Sequence, residues 1–98
     1  MSYRIIIRPE AEADMTEAFD WYERRQRGLG EEFLAEVQTA LRNIGDHPLH
    51  HAVLYKNVRR ILTRRFPYKV FFFVEAASIK VIGVIHARRH QRVWKQRV

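Results

Sequence analysis

The sequence predicts an α+β domain in the order β-α-α-β-β-β, with an N-terminal strand and an antiparallel helical hairpin packed on a largely antiparallel four-stranded sheet. Two successive segments carry apolar residues at helical spacing, with Gly28-Leu29-Gly30 between them. One short strand-like segment precedes this pair and three follow it. The chain has 98 residues, the usual size of one domain, so we expect residues 1–98 to form a single unit.

The first strand and first helix are predicted from the residues that open them. Residues 3–8 read YRIIIR, a segment rich in β-branched side chains, and Pro9 stops it. Proline suits the first turn of a helix, where no amide proton is needed. The acidic residues that follow complement the positive end of the helix dipole. We expect a helix from Pro9 to about Arg25 or Gln26, with an apolar stripe of Ala11, Met15, Ala18, Phe19 and Tyr22.

A second helix follows the glycine-containing turn, and Gly45 with Pro48 is expected to end it. Because the turn is so short, the two helices should form an antiparallel hairpin. The apolar face of the second helix consists of Phe33, Leu34, Val37, Ala40, Leu41 and Ile44. The exposed sides of the hairpin are expected to carry Glu12, Glu17, Glu23, Glu32 and Glu36.

The rest of the sheet is predicted from three segments, at about 58–65, 68–75 and 79–86. Ala76-Ala77-Ser78 gives a tight reversal between the last two, which should be hairpin neighbours. Residues 47–57 are expected to be irregular. The tail, residues 87–98, is basic, and its only large apolar side chain is Trp94.

The stretch RRFPYKVFFFVE, residues 64–75, does not alternate as a strand with one solvated face should. We expect one face, with Phe72, to pack under the helical hairpin. Phe71 and Phe73 lie on the other face, which lacks an obvious cover within the chain. The tail with Trp94 or a bound partner could cover it, and we expect Phe71 and Phe73 to be less buried than Phe72.

Charge is divided unevenly along the chain. The net charge is +7, but residues 1–55 sum to −4 and residues 56–98 to +11. This asymmetry favours a polyanion or an acidic protein segment as partner, with ordinary solvation as the alternative. The chain has no cysteine and no apolar run near the roughly 20 residues that span a bilayer. We expect a cytoplasmic protein without membrane contact.

An ordered set of residues resembles the ParE/RelE superfamily of toxins from bacterial type II toxin–antitoxin systems, and more its ParE-like branch of plasmid stabilisation proteins. The set extends over nearly the whole chain. It consists of Ala13-Asp14, Trp21-Tyr22, Gly28-Leu29-Gly30, Phe33-Leu34, Pro48, Val58-Arg59-Arg60, Arg65-Phe66-Pro67-Tyr68, His86, Arg89, Trp94 and Arg97. The resemblance implies a toxin neutralised by a cognate antitoxin in a hetero-oligomer. ParE-like members inhibit DNA gyrase, whereas RelE-like members cut messenger RNA in the ribosome. An inactive member that still binds antitoxin is a third possibility.

Both activities occur on the same fold, so they have to be distinguished by the residues of the site. Cutting RNA needs a base, an acid and cations around the phosphate, and the candidates for these roles are Arg60, Arg65, His86 and Arg89. His86 has a structural alternative, a ring that bonds backbone at a strand end. RelE-like nucleases often use a tyrosine or histidine in the C-terminal segment. This tail has no tyrosine, only His90 and Trp94, so no catalytic residue is assigned and binding without chemistry is favoured.

Binding residues are assigned on the same basis. Contacts with the target or another anion are expected from Arg64, Lys69, Arg88, Arg92, Trp94, Lys95 and Arg97. Contacts with the antitoxin are expected from Trp21, Phe71 and Phe73. Trp21 and Trp94 could instead pack within the chain. Three histidines at 47, 50 and 51 lie close together, but flexible surface side chains explain them, so neither metal nor cofactor is expected.

Overall fold

A computed structural model describes residues 3–89 and 92–98. One five-stranded sheet carries two long helices on one face and the C-terminal tail on the other. The elements are β1 (Arg4–Ile7), α1 (Pro9–Arg25), α2 (Leu29–Asp46), β2 (Val53–Tyr55), β3 (Val58–Leu62), β4 (Tyr68–Glu75), β5 (Ser78–His86) and α3 (Arg92–Lys95). No helix in the described ranges is long and apolar enough to cross a membrane.

The sheet has the order β1-β5-β4-β3-β2. β1 runs parallel to β5, and every other neighbouring pair is antiparallel. The predicted α+β class and element order are therefore confirmed, and the first strand lies at one edge. The sheet has one strand more than predicted, because β2 forms within residues 47–57, which were expected to be irregular. A 3₁₀ turn at Pro48–His50 lies in the same segment.

The helical hairpin follows the sequence pattern. Helix α1 begins at Pro9 as predicted, whereas α2 continues through Gly45 to Asp46, so the glycine does not end it. The apolar faces of both helices pack on the sheet in what we call the helix-side core. Its buried residues are Ala11, Ala18, Phe33, Val37, Ala40, Ile44, Phe66, Val70, Phe72, Ile79, Val81 and Val84.

A second core lies on the opposite face of the sheet and explains why the sequence of β4 does not alternate between apolar and polar residues. Trp94 of α3 is 6% exposed and stacks on Phe71 at 4.6 Å between ring centroids. Phe71 and Phe73 are 1% and 8% exposed. The tail therefore supplies the cover that the sequence left open between the tail and a bound partner, and both side chains are only slightly less buried than Phe72, which is 0% exposed. This tail-side core consists of Val58, Phe71, Phe73, Ile82, Ile85 and Trp94.

A β-bulge in β5 lets that strand serve both cores. Phe71 pairs with Gly83 and Phe72 with Val81, so Ile82 is an extra residue. The bulge changes the alternation, and Ile82 and Ile85 both join the tail-side core while Val81 and Val84 join the helix-side core. Both faces of β5 are therefore apolar, as in a central strand.

Two carboxylates that were expected to be exposed on the hairpin are partly buried and bond backbone amides. Glu36 accepts hydrogen bonds from the amides of Arg65 and Phe66 at 2.8 and 2.9 Å, which holds the β3–β4 turn against α2. Glu23 accepts from the Gly30 amide at 2.9 Å and joins the end of α1 to the start of α2. Two of the glutamates in the acidic half of the sequence therefore have a structural role.

Candidate functional site

A groove lies on the tail side of the sheet, with a volume of about 310 Å³. Strand register places its charges: Arg60 lies opposite Phe71, and Lys69 lies opposite Ile85. Alternation therefore turns both cations to the same face as the tail-side core. We call this site the basic groove, and it is lined by Leu54, Arg60, Lys69, Phe71, Ile85, His86, Arg89, Trp94 and Lys95.

The electrostatics of the basic groove have one sign. Four of the described lining residues are basic, Arg60, Lys69, Arg89 and Lys95, and none is a carboxylate. Apolar rings form part of the same wall, and a low-dielectric wall concentrates the field of nearby charges. Guanidinium and ammonium groups in such a groove can hold an anion through charge-assisted hydrogen bonds.

A second cavity of about 320 Å³ lies between α1 and the ends of β4 and β5. Three aromatic side chains, Trp21, Tyr22 and Tyr68, contribute to its wall, and we call it the aromatic pocket. Burial, followed by the proximity of Tyr22, raises the pKa of Tyr68 well above its usual range, so its hydroxyl is neutral at physiological pH. The remaining lining residues are Asp14, Glu17, Ala18, Arg24, Val84, Ile85, His86 and Arg89.

His86 ends β5 at the boundary of the two cavities. Its Nδ1 accepts a hydrogen bond from the Arg88 amide at 3.1 Å, and its ring meets Tyr68 edge-on at 5.3 Å between centroids. This geometry matches the structural alternative, a ring that bonds backbone at a strand end. A nitrogen that accepts a backbone hydrogen bond in this way is not available as a general base, and the neutral ring then carries its proton on Nε2.

The structure brings together three of the four residues considered for RNA cleavage. Arg60, His86 and Arg89 line the basic groove. Arg65 lies elsewhere: its guanidinium pairs with Glu32 of α2 and stands over the Phe66 ring at 5.0 Å. The described groove thus offers cations for a phosphate and a single imidazole, that of His86, while His90 lies outside the described residues.

The residues expected to contact a target or anion are spread over several surfaces. Lys69 and Lys95 lie in the basic groove. Arg64 borders a different cavity, between α2 and β3. Arg88 is exposed in the turn after β5, and Arg92 is exposed at the first position of α3. Sequence alone could not separate the groove cations from the others, because strand register and the path of the tail decide which side chains meet.

Arg97 is engaged within the chain. Its guanidinium binds the Asp14 carboxylate through two contacts of 2.6 and 3.1 Å and donates to the Ile82 carbonyl at 3.0 Å. Asp14 also accepts from the Val84 amide at 3.0 Å. The pairing of β1 with β5 stops at Val81, so Asp14 and Arg97 satisfy the backbone groups just beyond it. The hydrogen bond to Asp14 raises the pKa of Arg97.

The residues expected to contact a partner differ sharply in exposure. Trp21 is 46% exposed and has the Arg25 guanidinium over its ring at 4.3 Å. Phe71, Phe73 and Trp94 are all buried in the tail-side core. A partner that contacted the two phenylalanines would first have to displace the tail.

The histidines after α2 are occupied by contacts among themselves and with α2. The rings of His47 and His50 stack at 4.7 Å between centroids, and His51 Nε2 lies 3.3 Å from the Asn43 side-chain oxygen. Burial lowers the pKa of His51, which favours its neutral form. In residues 3–89 and 92–98, no group of three or more histidine, cysteine, aspartate or glutamate side chains is placed to hold a metal ion.

Sequence reasoning missed the aromatic pocket. Tyr22 and Trp21 are adjacent on α1, and Tyr68 opens β4, so the pocket forms only when the hairpin packs on the sheet. The dipeptide Trp21-Tyr22 was a usable signal, since an apolar stripe needs only one of two consecutive residues. Tyr22 packs on Phe33 and Phe66, which leaves Trp21 at the surface.

Solved structures with this arrangement of helices and strands come from toxin–antitoxin systems. A chain of the chromosomal ParDE system from P. aeruginosa has a TM-score of 0.78 at 14% identity, covering 89% of this chain and 98% of that chain. A chain of a RelBE toxin–antitoxin complex from Mycobacterium tuberculosis has a TM-score of 0.63 at 15% identity, covering 88% and 99%. A mutant of the E. coli toxin RelE in the free state has a TM-score of 0.63 at 14% identity, covering 100% and 99%.

These structures define the class as the fold shared by ParE and RelE toxins. The sequence model for the ParE toxin of the type II toxin–antitoxin system parDE matches residues 5–91. The chain therefore belongs to the ParE toxin family, as the resemblance in its sequence implied. No curated protein sequence matches the chain.

Proposed function

We propose that this chain is the toxin of a ParDE-type module, that a cognate antitoxin binds and neutralises it in the cytoplasm, and that it acts by binding DNA gyrase. The observation that carries the proposal is the ParE family match over residues 5–91. ParE-like toxins inhibit gyrase, and the solved ParDE chain has a higher TM-score than the two RelE-type chains.

The chemistry of the basic groove supports binding over cleavage. Its described lining has four basic side chains and His86, and the Nδ1 atom of His86 already accepts a hydrogen bond from the Arg88 amide. A ribonuclease needs both an acid and a base within reach of the scissile phosphate. An acidic antitoxin segment, by contrast, needs only complementary charge, which the groove provides.

The experiment induces the chain in cells that lack the antitoxin and compares the wild type with His86→Ala and with Lys69→Glu. Gyrase poisoning predicts filamentation, a DNA-damage response and gyrase-dependent DNA breaks, all of which His86→Ala retains. Lys69→Glu reverses one groove charge and should weaken toxicity. Its control is Lys80→Glu, which changes a lysine that pairs with Glu75 and does not line the groove. Purified gyrase with plasmid DNA then provides the direct assay.

A RelE-like ribosome-dependent endoribonuclease is the second candidate. It is favoured by the meeting of Arg60, His86 and Arg89 at one groove. It predicts rapid loss of translation with cut messages, and loss of that activity in His86→Ala and Arg89→Ala. Cut messages without gyrase-dependent DNA breaks would replace the gyrase proposal with this one.

A further inference from the structure

The basic groove and the aromatic pocket are neighbouring parts of one surface. Ile85, His86 and Arg89 line both cavities. This shared lining places the two cavities next to each other at the end of β5, one on the helix side and one on the tail side of the sheet. Their volumes are similar, about 320 and 310 Å³.

The charges of the two cavities give a ligand that enters both a direction. The aromatic pocket has mixed charge: its lining includes Glu17, Arg24 and Arg89, and the Asp14 carboxylate is already paired with Arg97. The basic groove has cations and no carboxylate among its described residues. An anionic group is therefore held in the groove, and the remainder of the ligand lies in the aromatic pocket.

The walls of the aromatic pocket suit a planar ring with polar edges. Trp21, Tyr22 and Tyr68 supply flat apolar surface, and stacking of a nucleobase on an aromatic side chain is favourable for every base. The Glu17 carboxylate supplies acceptors for the edge of the ring.

We propose that the basic groove and the aromatic pocket form one binding site for a nucleoside polyphosphate, with the base in the aromatic pocket and the phosphate chain in the basic groove. Arg89, at the junction, contacts the phosphate nearest the sugar. Arg60, Lys69 and Lys95 contact the phosphates further along the groove. This inference does not rest on the identity of the toxin's target.

The distribution of charge favours a free nucleotide over a nucleic-acid strand. A strand spreads its charge at one phosphate per nucleotide. A nucleoside triphosphate concentrates several charges beside a single base. The chain places four basic side chains around a groove of about 310 Å³, next to one pocket with aromatic walls. A nucleotide with one base and a chain of several phosphates matches this arrangement of one pocket beside one basic groove.

Calorimetric titration of the purified full chain tests the proposal with ATP and GTP, each without magnesium at fixed ionic strength. Affinity should fall by about three- to tenfold for each phosphate removed, from triphosphate to diphosphate to monophosphate. Arg89→Gln should weaken ATP binding about tenfold or more. Arg42→Gln is the matched control, because Arg42 is an exposed arginine on α2 that lines neither cavity, and it should leave the affinity unchanged.

Inorganic tripolyphosphate and Trp21→Ala separate the base site from the phosphate site. Trp21→Ala should weaken ATP binding about tenfold and leave tripolyphosphate binding unchanged. Trp21 is half-exposed, so this variant keeps the fold. The proposal is wrong if tripolyphosphate binds as tightly as ATP, if Arg42→Gln weakens binding as much as Arg89→Gln, or if no binding occurs at millimolar nucleotide. Tighter binding of a short single-stranded oligonucleotide than of ATP would also overturn it in favour of a strand.

Discussion

At the scale of single residues, Gly28 and Gly30 have different reasons to be glycine, although only Leu29 separates them. Gly28 has a φ of 89° and open space around it. Gly30 lies in α2, where a Cβ would be 2.7 Å from the Phe19 carbonyl oxygen. The first position requires a left-handed backbone conformation, and the second requires close approach of two helices.

We expect Gly30→Ala to destabilise the protein by about 1–2 kcal/mol. Alanine favours a helix interior by about 1 kcal/mol over glycine, but overpacking against a main-chain oxygen costs about 2–3 kcal/mol. The clash therefore exceeds the gain in propensity. Gly28→Asn is the matched control and should be nearly neutral, since asparagine adopts left-handed conformations. Urea denaturation measures both, and a stabilised Gly30→Ala variant would contradict the packing.

The ion pair of Arg97 and Asp14 gives a second residue-scale prediction. Both side chains are largely buried, at 19% and 17% exposure, and they satisfy backbone groups of β5. Arg97→Ala should cost about 2–3 kcal/mol because it leaves the Ile82 carbonyl and Asp14 without a charged partner. Arg97→Lys should recover only part of this, since lysine cannot form the two-pronged contact.

Urea denaturation at neutral pH measures the Arg97 variants, with Arg64→Ala as an exposed arginine for comparison. Equal stability of the wild type and Arg97→Ala would show that the pair does not hold the tail. If Arg97→Ala also loses toxicity, its stability has to be matched before a target contact is inferred, because the guanidinium is already engaged within the chain.

At the scale of elements, the sequence predicted more about β4 than about the tail that covers it or about β2. The run Val70–Val74 showed that both faces of the strand are apolar, and both are buried. The cover over Phe71 could not be predicted, because it depends on where the tail crosses the sheet. β2 was missed because three residues are too few to show a period of two.

Features that depend on contacts between distant parts of the chain could not be predicted either. Glu36 bonds amides about 30 positions away, and no local pattern distinguishes it from an exposed glutamate on the same helix. The groove and pocket likewise join α1, four strands and the tail. The sequence pointed to most of the groove's cations, but it assigned Arg64, Arg65 and Arg97 to the same kind of role.

The tail-side core predicts that Trp94 is a stabilising element in its own right. Trp94→Ala should destabilise the protein by about 3–5 kcal/mol, because it removes a buried indole that stacks on Phe71. Trp21→Ala is the matched control and should cost about 1 kcal/mol or less, since Trp21 is half-exposed. Chemical denaturation followed by circular dichroism measures both variants. Equal losses would mean that the tail does not pack as described.

At the scale of the whole molecule, like charges collect on one face and opposite charges meet on the other. On the helix side, Arg65 pairs with Glu32. On the tail side, Arg60, Lys69, Arg89 and Lys95 line a groove without a described carboxylate. Mutual repulsion in that groove lowers the stability of the free chain and is relieved when an anion binds. Natural proteins retain such unfavourable clusters where function needs them.

The final prediction compares the two faces by removing one cation from each. Lys69→Gln should raise the stability of the free chain by about 0.5 kcal/mol at low ionic strength, since it lowers the repulsion in the groove. The gain should shrink as salt is raised to about 0.5 M, where the Debye length is only a few ångströms. Arg65→Gln should instead be neutral or slightly destabilising, because it removes a cation that has an acidic partner. Urea denaturation at two salt concentrations decides between the signs. If Lys69→Gln is destabilising at low salt, the cations of the groove do not repel one another, and the basis for anion binding there is lost.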